Sequence, residues 1–375
     1  MSILTHAGVL KALDASIGWT LCKLLGRLRH AARRPTLAST PSPDTVRRIL
    51  VVRPGGIGDM LMLLPVLRSL NDALPGVEID IVCEQRNHDV LKLAGSAHNA
   101  LLYDAHPFAL LCHLQRTAYD IVVDTEQFHN FSAILALMSG APVRAGFKIN
   151  PARLHLYTHL VDYDVDGYEA DQFVRLFRSL GVTIPSCRLP DSLSDAKLPR
   201  DGTPPPRTPR GGRVIAIGPG ASDPYKEWGE DKYAAFSESL LDSGHSIVLV
   251  GGAADRPAAG RILARLTDQR AVSDTTGTCS LGTTAAILKQ ADLYVGCDSG
   301  LAHLATALGT KSLVLFGPSD PRKWAAPDER HIVLRKDLPC SPCAIFGYRK
   351  WCRGVPCMRT ISAEEAVTAV QPLLA

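Results

Sequence analysis

Arg48-Ile49-Leu50-Val51-Val52-Arg53-Pro54-Gly55-Gly56-Ile57-Gly58-Asp59 joins a short apolar run to a glycine-rich turn, and a long apolar segment starting at Met60 follows. The run is bounded by turn residues and reads as a buried strand leading into a helix, the opening of an α/β unit. Glycines at a strand end (Gly55, Gly56, Gly58) permit a tight turn and bring backbone N–H groups close to a ligand. Asp59 falls in the first turn or cap of the helix. It suits a helix cap or a general base, and the two are compatible, because a helix N-terminus stabilises the anion that a base must be. A dinucleotide fingerprint is not met, since its third glycine would fall at Leu61, but Glu84 sits at the distance of a ribose-binding acid and keeps that alternative open.

Outward from this unit, apolar strands are predicted at Glu78–Cys83, Asp120–Asp124 and Val143–Phe147, with helical segments between them. Such alternation predicts a parallel sheet with helices on both faces. Between Asp195 and Gly212 the density of proline blocks helix and central strand alike, marking an interdomain linker. Alternation then restarts with strands at Val214–Ile217, Ser246–Val250, Leu293–Val295 and Ser312–Phe316. The expected plan is an N-terminal extension (1–45), a Rossmann-like domain (46–194), the linker (195–212) and a second Rossmann-like domain (213–375). Two doubly wound sheets facing each other would line a cleft with their strand-to-helix loops.

The chain has 375 residues, 46% of them hydrophobic and 21% charged, enough to bury two ordinary cores. A net charge of +4 suits an anionic ligand or a membrane surface and is too weak to imply nucleic acid. Six of the ten cysteines (Cys22, Cys83, Cys112, Cys187, Cys279, Cys297) lie in apolar contexts, pointing to a reducing cytoplasm rather than a disulfide framework. No apolar run reaches the roughly 18 to 20 residues needed to cross a bilayer, and the N-terminus lacks the order of a signal peptide. Leu10, Leu13, Ile17, Leu21, Leu24 and Leu28 recur at helical steps, with Lys11, Lys23, Arg27 and Arg29 off the stripe and Arg33 and Arg34 after it. That pattern fits a helix packed on the protein body or a basic interfacial membrane helix. Gly18 and Gly26 weaken such a helix in isolation.

The second half carries its chemistry in the same kind of loop. Gly218-Pro219-Gly220-Ala221-Ser222 follows a strand, with Lys226 and Trp228 beyond it. Its N–H donors, hydroxyl and ammonium suit a diphosphate, although a plain turn with an exposed lysine has the same composition. Gly251-Gly252-Ala253-Ala254-Asp255 places an acid where it can accept from ribose hydroxyls. In Gly296-Cys297-Asp298-Ser299-Gly300-Leu301-Ala302-His303, first-turn N–H groups would face an anion and Asp298 could bond sugar hydroxyls. His303 fits a packed histidine or a ligand contact. The loop Phe316-Gly317-Pro318-Ser319-Asp320-Pro321 closes the set. Cys340, Cys343, Cys352 and Cys357 form a C-x2-C-x8-C-x4-C cluster, suited to a structural Zn²⁺ or iron site or to a vacant structural cluster.

The order of these motifs resembles the ADP-heptose:lipopolysaccharide heptosyltransferases, glycosyltransferase family 9, over about residues 46 to 375. The resemblance implies a GT-B architecture with the acceptor on the N-terminal domain and the nucleotide-sugar on the C-terminal one. It implies inverting transfer with no metal or other cofactor required. By position, Asp59 matches the family's catalytic base, Ser222 and Lys226 its donor-phosphate contacts, and Asp255 approximately its nucleotide-binding acid. Asp298, Ser299, Gly300 and His303 match its donor loop. The implied partners are a nucleotide-sugar, ADP-heptose by resemblance, and a glycolipid or saccharide acceptor at the cytoplasmic face of the inner membrane. A nucleotide-dependent epimerase or oxidoreductase and a non-catalytic nucleotide-sugar-binding protein are the competing expectations.

Overall fold

In the computed structural model, β1 (Arg48–Val52) is flanked by β2 (Glu78–Cys83) and β4 (Ile121–Asp124), both parallel to it. The structure describes residues 12–32, 45–95, 99–199, 212–345, 348–349 and 352–375. Leu10, Lys11, Arg33, Arg34 and most of the proline-rich stretch (200–211) lie outside them. The chain divides into two units, Met1–Cys187 and Arg188–Ala375.

The first unit holds a six-stranded sheet of order β3-β2-β1-β4-β5-β6, completed by β3 (Asn99–Leu102), β5 (Val143–Phe147) and β6 (His159–Val161). The second holds a six-stranded sheet with the same order, β9-β8-β7-β10-β11-β12. Its strands are β7 (Val214–Gly218), β8 (Ser246–Leu249), β9 (Val272–Asp274), β10 (Leu293–Cys297), β11 (Ser312–Phe316) and β12 (His331–Arg335). All strand pairs in both sheets are parallel. Both sheets thus have the doubly wound 3-2-1-4-5-6 order, with the reversal between the first and fourth strands of each. Central strands covered on both faces must be apolar at every position, which is why Ile49–Val52 and Leu293–Cys297 are buried without alternation. Gly218 and Gly296 pair across β7 and β10; a Cβ at either would come within 2.4 and 2.3 Å of the buried Tyr294 hydroxyl.

The N-terminal extension docks on the first unit by an unexpected face. A π-helical turn, Asp14–Gly18, leads into α1 (Trp19–Ala32). Asp14 accepts hydrogen bonds from the backbone N–H groups of Asn130 (2.9 Å) and Phe131 (2.7 Å), closing the N-terminus of the helix Asn130–Met138. Gly18, Cys22 and Gly26, four residues apart, form the seam. A Cβ on Gly18 would lie 3.0 Å from Asn130 Cβ, and one on Gly26 would lie 3.2 Å from His155 Cβ. The glycines that weaken the isolated helix therefore let it approach the unit closely. Cys22 is buried between them, and burial pushes its thiol pKa up to about 12. Leu13, Ile17, Leu21, Leu24 and Leu28 point the other way, with 37% to 59% of their surface exposed. Among the described residues no helix is long and apolar enough to cross a membrane.

Candidate active site

In a sheet of this order, ligands bind beyond the carboxyl ends of the strands where the order reverses. In the first unit those ends are β1 and β4. Arg53 directly follows β1, and its guanidinium is almost wholly buried. Burial would lower its pKa, but the carboxylates of Glu126 and Asp59 hold it above the ordinary value and keep it charged. Nη2 reaches Asp59 Oδ1 at 3.0 Å, and Nη1 reaches Glu126 Oε1 at 3.1 Å and donates to Thr125 O at 3.0 Å. A single cation thus ties the loop after β1 to the loop after β4. Phe173 stacks on the guanidinium at 4.8 Å.

Asp59 stands in the first turn of α2 (Ile57–Ala73), where its Oδ2 accepts from Gly56 N at 2.8 Å. Its capping role is therefore present, and about a third of the side chain remains exposed. Glu126 differs. Burial, opposed by Arg53 and reinforced by the Asp59 charge, raises its pKa from 4.5 to about 8.

Glu84, expected as a ribose ligand under the dinucleotide alternative, is instead committed to the turn. Its Oε1 accepts from Gly55 N at 3.0 Å and from the Tyr103 hydroxyl at 3.0 Å, and its other oxygen pairs with Arg86. Gly55 has φ +123°, which strains any side chain, and a Cβ there would sit 2.9 Å from Asp59 Oδ2.

The second unit repeats this layout with different residues. Lys226, in a 3-10 turn capped by Asp223, places Nζ 2.6 Å from Oδ2 of Asp298, the residue after β10. His303 Nε2 lies 3.7 Å from Asp298 Oδ1, and Ser319 donates to the same carboxylate. Burial would raise the Asp298 pKa, but Lys226, His303 and these hydrogen bonds hold it below the usual carboxylate value. Ser299 is the N-cap residue of α3 (Gly300–Leu308), so the first-turn N–H groups lie at the same strand end. Ser222 is exposed on the loop between β7 and Lys226. Asp255 Oδ2 accepts from Gly252 N at 2.7 Å, and a Cβ on Gly220 would come within 1.8 Å of its Oδ1. An acid after the second strand therefore lies against the glycine turn after the first strand in both units. A shallow, solvent-open concavity adjoins the Asp298 loop, lined by His303, Thr306, Phe316, Trp324 and His331 among others.

Of the two readings of Cys340, Cys343, Cys352 and Cys357, the structural zinc or iron site gains no support. Among the described residues no group of three or more His, Cys, Asp or Glu side chains is placed to hold a metal ion. The segment instead braces the loop that carries Ser319. Cys343 N and Ala344 N both donate to Pro318 O at 2.8 Å, and Ser341 Oγ donates to Gly317 O at 2.6 Å. Cys357 is buried in the core of the unit.

Arg53, Glu126 and Ser319 were not singled out from the sequence. A usable signal existed for Arg53, because an arginine directly after an apolar strand needs carboxylate partners if buried. Nothing local marked Glu126, which lies 73 residues away.

Residues 108–348 match the family model described as glycosyltransferase family 9 (heptosyltransferase). The chain belongs to glycosyltransferase family 9. The matched region begins in the first unit after the Asp59 loop and runs through the donor-side motifs of the second. Lipopolysaccharide heptosyltransferase 1 of Pseudomonas aeruginosa is 26% identical over 315 residues, covering 79% of this chain and 86% of the relative. Among solved structures, the E. coli ADP-heptose lipopolysaccharide heptosyltransferase II superposes with a TM-score of 0.69 at 23% identity, covering 87% of this chain and 98% of that one. The E. coli heptosyltransferase WaaC solved with ADP gives 0.69 at 22% identity, covering 87% and 99%. Two parallel sheets of this order and these likenesses give the family 9 chain the GT-B fold. As a glycosyltransferase, it is neither the epimerase or oxidoreductase nor the non-catalytic binding protein weighed from the sequence.

Proposed function

We propose that the chain transfers heptose from ADP-heptose to a lipopolysaccharide-core or related saccharide acceptor, by an inverting reaction that needs no metal. The observation that carries this reading is the repeated pairing at the strand reversals, Arg53 with Asp59 and Glu126 in one unit and Lys226 with Asp298 in the other. In the first, Asp59 is a part-exposed carboxylate on a helix N-terminus and serves as general base. In the second, Lys226, Ser222 and the N-terminus of α3 at Ser299 and Gly300 bind the diphosphate, His303 and Asp298 bond the sugar, and Asp255 takes the ribose. Gly55, Gly56 and Gly58 shape the acceptor-side turn.

In this mechanism the acceptor oxygen attacks the anomeric carbon, its proton passes to Asp59, and the bond from that carbon to the diphosphate oxygen breaks. One displacement inverts the anomeric configuration. Charge developing on the departing ADP is taken up by the Lys226 ammonium and the helix dipole, the role a divalent cation fills elsewhere. ADP as the nucleotide is supported by the likeness to WaaC solved with ADP, and heptose by the curated relatives. A lipid-carried acceptor of this class would suit an enzyme of the cytoplasm working at the inner membrane. The domain limits expected from the sequence, 46–194 and 213–375, are retained as the acceptor and donor portions.

A thermal-shift panel of nucleotide-sugars and free nucleotides tests the donor. A ligand at about 100 times its Kd stabilises by about 2.7 kcal/mol. ADP and ADP-heptose should shift the melting temperature most, and product analysis should show the inverted anomer. A larger shift with a uridine or guanosine diphosphate sugar, and none with ADP-heptose, overturns the assignment.

A further inference from the structure

We infer that the outward face of the N-terminal helical segment is a docking surface for an anionic phospholipid bilayer. Its placement is independent of the sugar transferred, and its use rests on the lipid-linked acceptor proposed above. Gly18, Cys22 and Gly26 are spent on the first unit, so the helix is already held. What remains is a stripe of Leu13, Ile17, Leu21, Leu24 and Leu28, exposed along successive turns. Contiguous exposed apolar surface of this kind marks an interaction site rather than ordinary surface.

Charge selects the occupant. Between Trp19 and Ala32 the sequence contains Lys23, Arg27 and Arg29 and no aspartate or glutamate. The one acid of the preceding turn, Asp14, is buried against Asn130 and Phe131. The stripe is therefore apolar, and the described charged residues beside it on α1, Lys23 and Arg27, are cationic, complementary to anionic headgroups over acyl chains. Lys23 Nζ lies 3.7 Å over the Trp19 ring, and Trp19 is itself exposed. A tryptophan with a long cationic stem beside it suits the headgroup level, where the ring sits at the interface and the ammonium reaches phosphate. Lys23 and Arg27 interrupt the segment, and no helix among the described residues is long and apolar enough to cross a membrane, which suits a helix lying in the membrane plane. A second copy of the chain would set the Lys23 and Arg27 margins of two such faces close together, at an electrostatic cost.

Co-sedimentation of the full chain with phosphatidylglycerol–phosphatidylcholine vesicles, against pure phosphatidylcholine vesicles, tests the inference. Wild type should bind the anionic vesicles and lose binding as salt rises. The double variants Leu24→Glu/Leu28→Glu and Lys23→Glu/Arg27→Glu should each bind about tenfold less or weaker still, the first by losing insertion and the second by losing attraction. Both should keep the wild-type melting temperature and the wild-type transfer rate on a delipidated, water-soluble acceptor. Failure of that soluble reaction in wild type would count against the proposed function and leave the vesicle result standing. Absence of wild-type binding, or wild-type binding by Leu24→Glu/Leu28→Glu, overturns the inference. So does a lipid-free dimer that this variant dissociates, which assigns the stripe to a second copy, or a lowered melting temperature, which assigns it to internal packing.

Discussion

Lys226 Nζ stands 2.6 Å from Asp298 Oδ2, so the lysine proposed to bind donor phosphate is already matched by a buried carboxylate. The pair tethers the loop after β7 to the end of β10, fixing the ammonium where a flexible side chain would otherwise wander. Two effects separate experimentally. Lys226→Ala should weaken ADP binding by about 10- to 100-fold, the worth of a charge-assisted hydrogen bond of about 1.5 to 3 kcal/mol, as read by isothermal titration calorimetry.

Asp298 also sets an acid dependence. Its folded pKa lies below its unfolded value, so its contribution to stability is present above the ordinary carboxylate range and is lost as pH falls through the folded pKa. Asp298→Asn should flatten the acid limb of a melting-temperature profile relative to wild type. An unchanged acid limb would mean that the carboxylate is not stabilised by Lys226 and His303.

For Asp59 the expectation concerns rate, not affinity. Asp59→Ala and Asp59→Asn should lower transfer by about 10²- to 10⁴-fold, the worth of a positioned general base. ADP affinity should not change, because the contacts of Asp59 are to Arg53 and Gly56 in the first unit. Asn retains an oxygen for Gly56 N, whereas Ala should cost a further ~1 kcal/mol of stability through the lost cap. Near-wild-type turnover in both variants would remove Asp59 from the base role.

Glu126 reverses the pH sign. Its folded pKa of about 8 stands above the ordinary 4.5, so its contribution is complete below the ordinary value and is lost as pH rises through about 8. Glu126→Gln keeps the shape of the protonated acid without the ionisation. The variant should therefore gain on wild type in melting temperature between pH 5 and 8, with the gap levelling off above that range.

Asp14→Ala removes the carboxylate that closes the helix Asn130–Met138 from a position 116 residues earlier. A loss of about 1 to 2 kcal/mol is expected, together with faster limited proteolysis within Asp14–Ala32. Equal stability and equal protection would show that the seam of Gly18, Cys22 and Gly26 suffices alone.

Legibility in the sequence followed burial and distance along the chain. β1, β2, β7 and β10 were readable because strands covered on both faces must be apolar throughout, and the glycine turns after β1 and β7 marked their ends. Edge strands such as β9, which is only partly buried, gave no such run. The leucine periodicity of the extension revealed an apolar face without saying which face docks. The answer lay in Gly18, Cys22 and Gly26, residues that propensity counts as weakness. Arg53–Glu126 and Lys226–Asp298 bridge about 70 residues each, so no local spacing encodes them. The cysteine spacing was readable as a metal site or as a vacant cluster, and spacing alone does not choose between them.

One strand order, used twice, has been given opposite polarity. At the first unit's reversal the Arg53 guanidinium joins two acids, the part-exposed Asp59 and the more deeply buried Glu126, whose pKa is raised to about 8. At the second, an ammonium faces one carboxylate, with an imidazole and a helix N-terminus in reserve. The strand order is the same in both units and does not itself set which of them would handle a hydroxyl and which an anion. That difference is written in a few side chains at two equivalent strand ends, and exchanging them is the shortest route by which such a chain could trade one half's chemistry for the other's.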